Sequence, residues 1–298
     1  MKRSVSFVTI VIVTLMAIST SCSEQEIIDQ NIVEMNPEAI LLEDTEMGEI
    51  EDLISGQIES VTAGDIESLF PTASQLKSSS DEVTYPIRTV EYPNADSKWP
   101  RIITIDYGPE NIELDVRRRE DVLLRGKVII KKTKPYRKNG STRAVSFKKF
   151  YFNDLNIVGS KVYTNMGLND NGNFIFKWVV NLKATDADHF WRKRKVRKER
   201  EMVVGADTKE WKDNEYSITG EVSGSNSKKW SYSRTIIEPL YRYSSFRYPV
   251  SGVVKIVKPN RTFWISYGEG EQDNLATMYY YDEEVKVEKE ITLGKKKK

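Results

Sequence analysis

The sequence predicts an all-β body of antiparallel strands, and three observations support that fold class. From Thr84 onward, Tyr, Phe, Trp, Val and Ile alternate with charged residues over runs of strand length. Turn-forming pairs such as Asn139-Gly140 and Asn171-Gly172 separate these runs, because Asn and Gly tolerate the positive φ of tight turns. No helix-length apolar periodicity intervenes, so we expect no parallel βαβ units.

The body contains about 12 predicted strands, which is more than one open twisted sheet carries comfortably. We therefore expect an antiparallel sandwich, a flattened barrel or two packed sheets. The predicted strands are Arg101–Tyr107, Leu124–Lys132, Ala144–Phe152, Leu155–Thr164, Asn173–Ala184, His189–Val203, Glu215–Val222, Lys229–Ile237, Tyr248–Val257, Thr262–Tyr267, Ala276–Tyr281 and Val285–Leu293.

The first 21 residues have the organisation of a secretory signal peptide. A basic start, Met1-Lys2-Arg3, precedes the apolar run Val8–Ile18, and small residues follow. The apolar run falls short of the ~20 residues that a membrane-spanning helix needs.

Cys22, the single cysteine of the chain, stands immediately after these small residues. The arrangement resembles a bacterial lipobox, which implies that Cys22 is lipidated and becomes the mature N-terminus. Ser19 occupies the position where an aliphatic residue is usual, so cleavage by an ordinary signal peptidase, with release of the protein, remains an alternative. The following Ser23-Glu24-Gln25-Glu26 is similar to acidic tetrads of surface lipoproteins of the Bacteroidota, which implies the cell outer membrane, on its periplasmic side or at the cell surface.

Charge divides the remaining chain into an acidic stalk and linker (22–83) and a basic body (84–298). Residues 23–83 contain 16 acids and one lysine, a net charge of −15, whereas residues 84–298 carry +14. Self-repulsion and the scarcity of large apolar groups favour an extended or partly helical spacer. The alternative is a stalk that folds back on the basic body as its electrostatic partner.

Composition excludes several functional classes. The whole chain has 45 basic and 44 acidic residues, which argues against a protein built around nucleic acid. One cysteine and one histidine exclude a disulfide framework, a cysteine metal cluster and a multi-histidine centre. The sequence contains no recognisable catalytic constellation, because His189 adjoins a hairpin turn and no nucleophile motif is present. We predict no catalytic residue, no enzymatic activity and no cofactor.

The segment Trp191–Arg200 is the most conspicuous local feature. On a strand, Arg192, Arg194, Lys198 and Arg200 share one side, while Lys193, Lys195 and Arg197 share the other. Charges on both sides favour an edge strand or a protruding hairpin, where they deter sheet-to-sheet aggregation. The alternative is that these seven residues form a patch for an anionic glycan, a lipid phosphate or the acidic stalk.

Two further groups of residues are weaker candidates. Tryptophans could stack on sugars, although aromatic residues more often fill sheet interiors; these are Trp178, Trp191, Trp211, Trp230 and Trp264. Glu269, Glu271 and Asp273 could bind Ca²⁺, but their spacing matches no calcium loop and favours a hairpin turn, so no metal site is predicted.

Several turn motifs in the body resemble those of an uncharacterised family of all-β lipoproteins of the Bacteroidota over about residues 101–282. The resemblance implies an all-β secreted body without an assigned reaction. Members tend to carry cysteines near the last motif, where this chain has Gln272, so a disulfide typical of the family is absent. The motifs are Arg125-Gly126-Lys127, Tyr163–Asn169, Gly172-Asn173, Ile218-Thr219-Gly220, Val250-Ser251-Gly252 and Tyr267–Ala276.

These observations predict a cell-envelope lipoprotein whose β body is a non-catalytic binding or scaffolding module. Its expected partners are the membrane, through the N-terminal lipid, and an anionic glycan or another envelope component. A glycan-binding or glycan-active surface protein is the alternative. A lipid-transport body is a third possibility and would require a sizeable apolar cavity under the sheet.

Overall fold

The computed structural model describes residues 47, 48, 50, 51 and 55, and then 85–114, 122–208, 210, 212–259 and 261–293. The signal peptide, Cys22, Trp211 and most of the acidic segment lie outside the described residues. Within the described part of the chain, no helix is long and apolar enough to cross a membrane. The strands are β1 (Ile87–Glu91), β2 (Arg101–Asp106), β3 (Ile112–Leu114), β4 (Val122–Lys132), β5 (Thr142–Phe152), β6 (Leu155–Leu168), β7 (Phe174–Thr185), β8 (Trp191–Val204), β9 (Glu215–Asn226), β10 (Ser231–Tyr243), β11 (Ser251–Lys258), β12 (Arg261–Glu269), β13 (Leu275–Asp282) and β14 (Val285–Thr292).

The predicted all-β, antiparallel class is confirmed. All 14 strands belong to one open sheet, in which each strand from β4 to β14 pairs with its neighbours in the chain. β1 and β14 lie at the two ends, and the short β3 pairs with β4 beside the main path. Each predicted strand coincides with an observed one, and β1 and β3 are additional. The strands therefore form one continuous sheet and not two separately paired sheets.

Register shifts interrupt seven of the strand pairs. The pairing of β4 with β5, for example, shifts between Arg125 and Lys127. Such bulges bend the strand and increase its local twist. Gly126 occupies this bulge with φ +85°, and a Cβ there would lie 1.8 Å from the Lys149 carbonyl oxygen.

The buried apolar side chains lie on one face of the sheet, which we call the inner face. They form two clusters, the first mainly from β2 to β10 and the second from β7 to β14. The long strands contribute to both, as β7 does through Val180 in the first cluster and Phe176 in the second. Trp178 lies between these two residues and packs against both clusters.

Part of the acidic segment packs on the inner face. Met47, Gly48, Ile50, Glu51 and Ser55 are helical, and Met47 and Ile50 belong to the first apolar cluster with exposures of 2% and 0%. For these residues the expected partly helical structure is confirmed, but an extended spacer is wrong, because their apolar side chains complete the core of the body. The fold-back alternative describes them correctly.

Candidate binding surfaces on the two faces of the sheet

The basic segment of the sequence lies on β8, in the middle of the sheet. β8 pairs with β7 on one side and with β9 on the other along nearly its whole length. The expectation of an edge strand or protruding hairpin is therefore wrong. A central strand accommodates charges on both sides here because the outward cations reach solvent and the inward ones find polar partners.

The seven candidate patch residues divide between the two faces, as strand alternation predicts. Lys193, Lys195 and Arg197 are exposed on the outer face, opposite the apolar clusters. Arg194 is 5% exposed and flanks the fully buried Val196 on the inner face. The other inward-facing members are Arg192, Lys198 and Arg200.

A groove on the outer face, which we call the outer groove, brings part of this segment together with other polar residues. It has a volume of about 650 Å³. Its cations come from two adjacent strands, with Lys183 of β7 directly opposite Lys193 of β8 and Lys195 one alternation further along. The rest of the lining combines Val158, Leu182 and Tyr232 with Gly159, Gly224 and four small polar residues; the polar residues are Asn181, Ser223, Ser225 and Ser231.

The cations of the outer groove have no carboxylate partner in the part of the chain that the structure describes. Lys193 and Lys183 instead approach the Trp191 ring, with Nζ 4.8 Å and 5.9 Å from its centroid. The exposed Arg197, just beyond the groove, lies 3.9 Å from Glu221. The groove therefore presents three lysine ammonium groups beside hydroxyl and amide groups, which is a chemistry that suits an anionic, hydroxyl-rich ligand.

On the inner face, Glu51 of the acidic segment is buried between two cations. Its carboxylate oxygens lie 3.0 Å from Arg194 Nε and 3.5 Å from Lys161 Nζ. Arg194 also donates to the Tyr232 hydroxyl at 3.1 Å, and Lys161 donates to the Ser55 hydroxyl at 2.5 Å. Lys198 faces the same region, and burial lowers its pKa to about 8. This network joins the acidic segment to β6, β8 and β10.

The inward-facing Arg200 lies among aromatic rings. It donates to the Tyr163 hydroxyl at 2.6 Å, and its guanidinium carbon lies 4.1 Å from the Tyr216 ring centroid. Burial alone would lower the pKa of Arg200, but the hydroxyls of Tyr163, Tyr136 and Tyr216 outweigh it and raise the pKa. Arg200 is thus a structural cation and not a member of the exposed patch.

The candidate stacking tryptophans do not form one platform. Trp178 packs inside the sheet, Trp230 packs against the first apolar cluster, and Trp191 contacts lysines beside the outer groove. Trp211 lies outside the described residues.

Trp264 alone of the described candidates belongs to an aromatic stack on the outer face. Its ring is nearly parallel to that of Tyr279, with centroids 5.6 Å apart, and Tyr281 packs edge-on against both. Lys286 Nζ lies 4.5 Å from the Tyr279 centroid. A shallow depression of about 340 Å³ adjoins Tyr279, Tyr281 and Lys286; its lining belongs to β11–β14, whereas that of the outer groove belongs to β6–β10.

The weak calcium candidates lie in the turn between β12 and β13 and use their carboxylates to hold it. Glu271 accepts the Glu269 amide at 3.1 Å, and Asp273 accepts the Leu275 amide at 3.0 Å. Hydrogen bonds from the backbone amides of Glu271, Glu269 and Gly270 lower the pKa of Glu271. No group of three metal-ligating side chains occurs among the described residues. His189 lies in the turn before β8 with φ 62°, where its amide donates to the Asp186 carbonyl.

Sequence reasoning missed Lys183 and Glu51 as members of these surfaces. Lys183 belongs to a different strand from the basic segment, and only the register of β7 against β8 brings the two lysines together. Glu51 is one of 16 acids in its segment, and no pattern distinguishes it from the others except its position beside Ile50.

Comparisons of the chain with protein-family models, curated proteins and solved structures found no match. The functional interpretation therefore depends on the chemistry of the two faces.

Proposed function

We propose that this protein is a non-catalytic envelope lipoprotein whose β body binds an anionic glycan of the cell envelope through the outer groove. In this proposal Cys22 carries the lipid that holds the protein on the outer membrane, and residues between Cys22 and the body separate the two. The membrane and the glycan are then its two partners.

The observation that carries the proposal is the outer groove with Lys183, Lys193 and Lys195. Three cations on two adjacent strands match the repeated charge of an acidic polysaccharide better than they match a single small ion. Ser223, Ser225 and Asn181 add donors and acceptors for sugar hydroxyls. The groove is an open depression on the sheet, which favours an extended polymer over a small ligand that needs an enclosed cavity.

The test compares charge reversal in the groove with the same reversal elsewhere. Lys193→Glu with Lys195→Glu should weaken binding of polygalacturonate and dextran sulfate, measured by isothermal titration, by about tenfold or more. The matched control is Lys131→Glu with Lys138→Glu, since both residues are exposed lysines and neither lies on a strand that lines or adjoins the groove. The control should bind like the wild type.

Two results would overturn the proposal. Equal losses of affinity in the groove variant and in the control would show that the effect comes from the net charge of the protein. Binding of duplex DNA as tight as that of the polysaccharides would show general attraction to polyanions and would remove the assignment to a glycan.

The membrane anchor has its own test. Cys22→Ala should abolish labelling by a radioactive fatty acid and move the protein from the membrane fraction to the soluble fraction, because each buried CH₂ of a lipid chain contributes about 0.8 kcal/mol. Unchanged membrane retention would contradict the anchor.

The aromatic stack favours a second candidate function, binding of a neutral glycan. Trp264 and Tyr279 stack, and Tyr281 is 52% exposed beside them, so a sugar ring has an apolar surface to contact. Tyr281→Ala should then reduce retardation in affinity gels that contain β-glucan or xylan. Retardation that persists in this variant, or that is absent from the wild type, would reject this function.

A further inference from the structure

A row of paired residues continues the outer face beyond the outer groove. Lys195 of the groove lies directly opposite Ser223 of β9, which lies opposite Ser233 of β10. Ser233 in turn lies opposite Val257 of β11. Paired residues of antiparallel strands have their side chains on the same face of the sheet, and all four of these residues are exposed. The surface of the groove therefore leads across β9 and β10 to β11.

A second row, next to the first, leads to the aromatic stack. It begins at Arg197, which follows Lys195 on the same side of β8 and is exposed. The row crosses the strands from β8 to β13 without a register shift at any of its positions, and its members are Arg197, Glu221, Thr235, Lys255, Trp264 and Tyr279. Glu221 is the one acid among them, and it lies 3.9 Å from Arg197.

Ammonium groups flank the aromatic stack as well as the outer groove. Lys255 Nζ lies 5.9 Å from the Trp264 ring centroid, and Lys286 Nζ lies 4.5 Å from that of Tyr279. Lys286 also pairs with Glu288 at 2.7 Å. An aromatic ring offers a flat apolar face to a sugar ring, while a neighbouring lysine attracts an acidic substituent of that sugar. The groove and the stack therefore suit different parts of one acidic sugar polymer.

We infer that one acidic polysaccharide chain binds to the outer groove and the aromatic stack together and lies across the strands from β7 to β13. This inference rests on the function proposed for the outer groove and adds the length and direction of its ligand. Adjacent strands lie ~4.8 Å apart, so the path from β8 to β13 covers about 24 Å along the sheet. The ligand is therefore a polymer with acidic groups on several sugars, since a short oligosaccharide reaches only one of the two sites.

Two contacts on one chain allow a weak aromatic contact to contribute to binding. Once the lysines of the groove hold the polymer, the sugars near the stack are at a high local concentration, and their contact with Tyr281 needs no second encounter. Tyr281 is 52% exposed and is accessible to that contact. Loss of the stack should then weaken binding of the same polymer that the groove binds.

The first test removes the stacking surface. In isothermal titration of the full chain with polygalacturonate, Tyr281→Ala should weaken binding about threefold to tenfold. Tyr92→Ala is the matched control, because Tyr92 is exposed to a similar extent, 51%, and adjoins β1 at the other end of the sheet. The control should bind polygalacturonate like the wild type.

The second test adds a cation between the two sites. Val257 is 39% exposed and belongs neither to the groove nor to the stack. Val257→Lys should tighten polygalacturonate binding about threefold and increase the magnitude of the salt slope by about one, because the new ammonium group lies on the path of the chain. Ala95→Lys adds the same charge in the exposed loop between β1 and β2, and it should change neither quantity.

Both the loss in Tyr281→Ala and the gain in Val257→Lys are required. Wild-type affinity in either variant, together with weaker binding by Lys193→Glu with Lys195→Glu, would confine the polymer to the groove; the inference would then fail while the proposed function stands. Equal gains in Val257→Lys and Ala95→Lys would trace the gain to net charge and would also overturn the inference. Unchanged binding in the lysine variant would reject the proposed function itself, and this inference with it.

Discussion

Glu51 is the residue that most directly joins the acidic segment to the sheet. Among the described residues it is the one buried carboxylate, and two of the four buried cationic side chains, Lys161 and Arg194, lie beside it. A buried ion pair contributes little over an apolar replacement, but loss of one partner leaves the other charged and buried. The Glu51 carboxylate therefore matters mainly because its removal would leave Lys161 and Arg194 buried without their shared negative charge, and less because the ion pairs add stability.

Glu51→Gln should lower the free energy of unfolding by about 3 kcal/mol, because Lys161 and Arg194 lose their shared carboxylate. Urea unfolding monitored by tryptophan fluorescence measures the change. Glu221→Gln is the matched control, since its ion pair with Arg197 is exposed and long, and it should cost at most about 1 kcal/mol. Equal effects of the two substitutions would contradict the buried network.

Two lysines with lowered pKa values predict how stability depends on pH. The pKa of Lys132 falls from 10.5 to about 7 on folding, and that of Lys198 falls to about 8. The folded protein therefore binds fewer protons than the unfolded chain between these values and 10.5, so stability rises with pH across that window, by at most about 1.4 kcal/mol per pH unit for each lysine. Above pH 10 the trend reverses, because burial raises the pKa of Tyr163, Tyr216 and Tyr232.

Guanidinium chloride unfolding at several pH values from 6.5 to 9.5 measures this slope. The slope should be smaller in Lys132→Met, which cannot titrate. A flat profile in the wild type, or a slope that the substitution leaves unchanged, would be inconsistent with a depressed pKa at Lys132.

At the level of elements, β-bulges interrupt the pairing of the long strands. Gly126 belongs to the bulge of β4 and has a positive φ that L-residues with a side chain rarely adopt. There is also no room for a side chain at this position, because a Cβ would overlap the Lys149 carbonyl oxygen of β5. The bulge therefore requires glycine for two independent reasons.

Gly126→Ala should destabilise the protein by more than about 2 kcal/mol, since the β4–β5 pairing must shift. Gly172→Ala is the control that measures backbone strain without steric overlap. Gly172 has a similar φ of 80°, but no atom lies within 4 Å of a Cβ placed there. Its cost should be about 1 kcal/mol. Chemical denaturation of both variants provides the measurement, and equal costs would indicate that overlap at the bulge is relieved without loss of pairing.

Alternation and turn residues were sufficient to predict the antiparallel strands and the division of β8 between two faces. They could not predict that β8 is central, because charges on both sides of a strand are typical of an edge unless the inner ones have partners. Those partners, Glu51 and Tyr232, are distant in the chain. β1 and β3 were missed because they are short, with five and three residues.

Only part of the outer groove could be predicted, because contacts between residues distant in the chain are not visible in the sequence. Lys193 and Lys195 stand in a visible basic run, whereas Lys183 joins them through register alone. The neighbouring inward positions of Arg101, Lys132 and Arg143 could not be predicted either, since these residues are single charges in three separate segments.

For the whole molecule, the distribution of charge matters more than its sum. The chain has a formal net charge of +1, yet the acidic stretch carries −15 and the body +14. Part of the negative charge lies on the inner face, where Glu51 contacts the body, whereas Lys193 and Lys195 of the outer groove are exposed. A nearly neutral protein can thus retain a basic binding surface.

The dependence of dextran sulfate affinity on salt tests the outer groove most directly. Release of counterions makes the logarithm of the binding constant fall linearly with the logarithm of salt concentration, with a slope that counts the cations engaged. We predict that Lys193→Glu with Lys195→Glu lowers the affinity and reduces the magnitude of this slope by about two, one for each lysine. A variant with the affinity and slope of the wild type would contradict the claim that the outer groove is the binding surface.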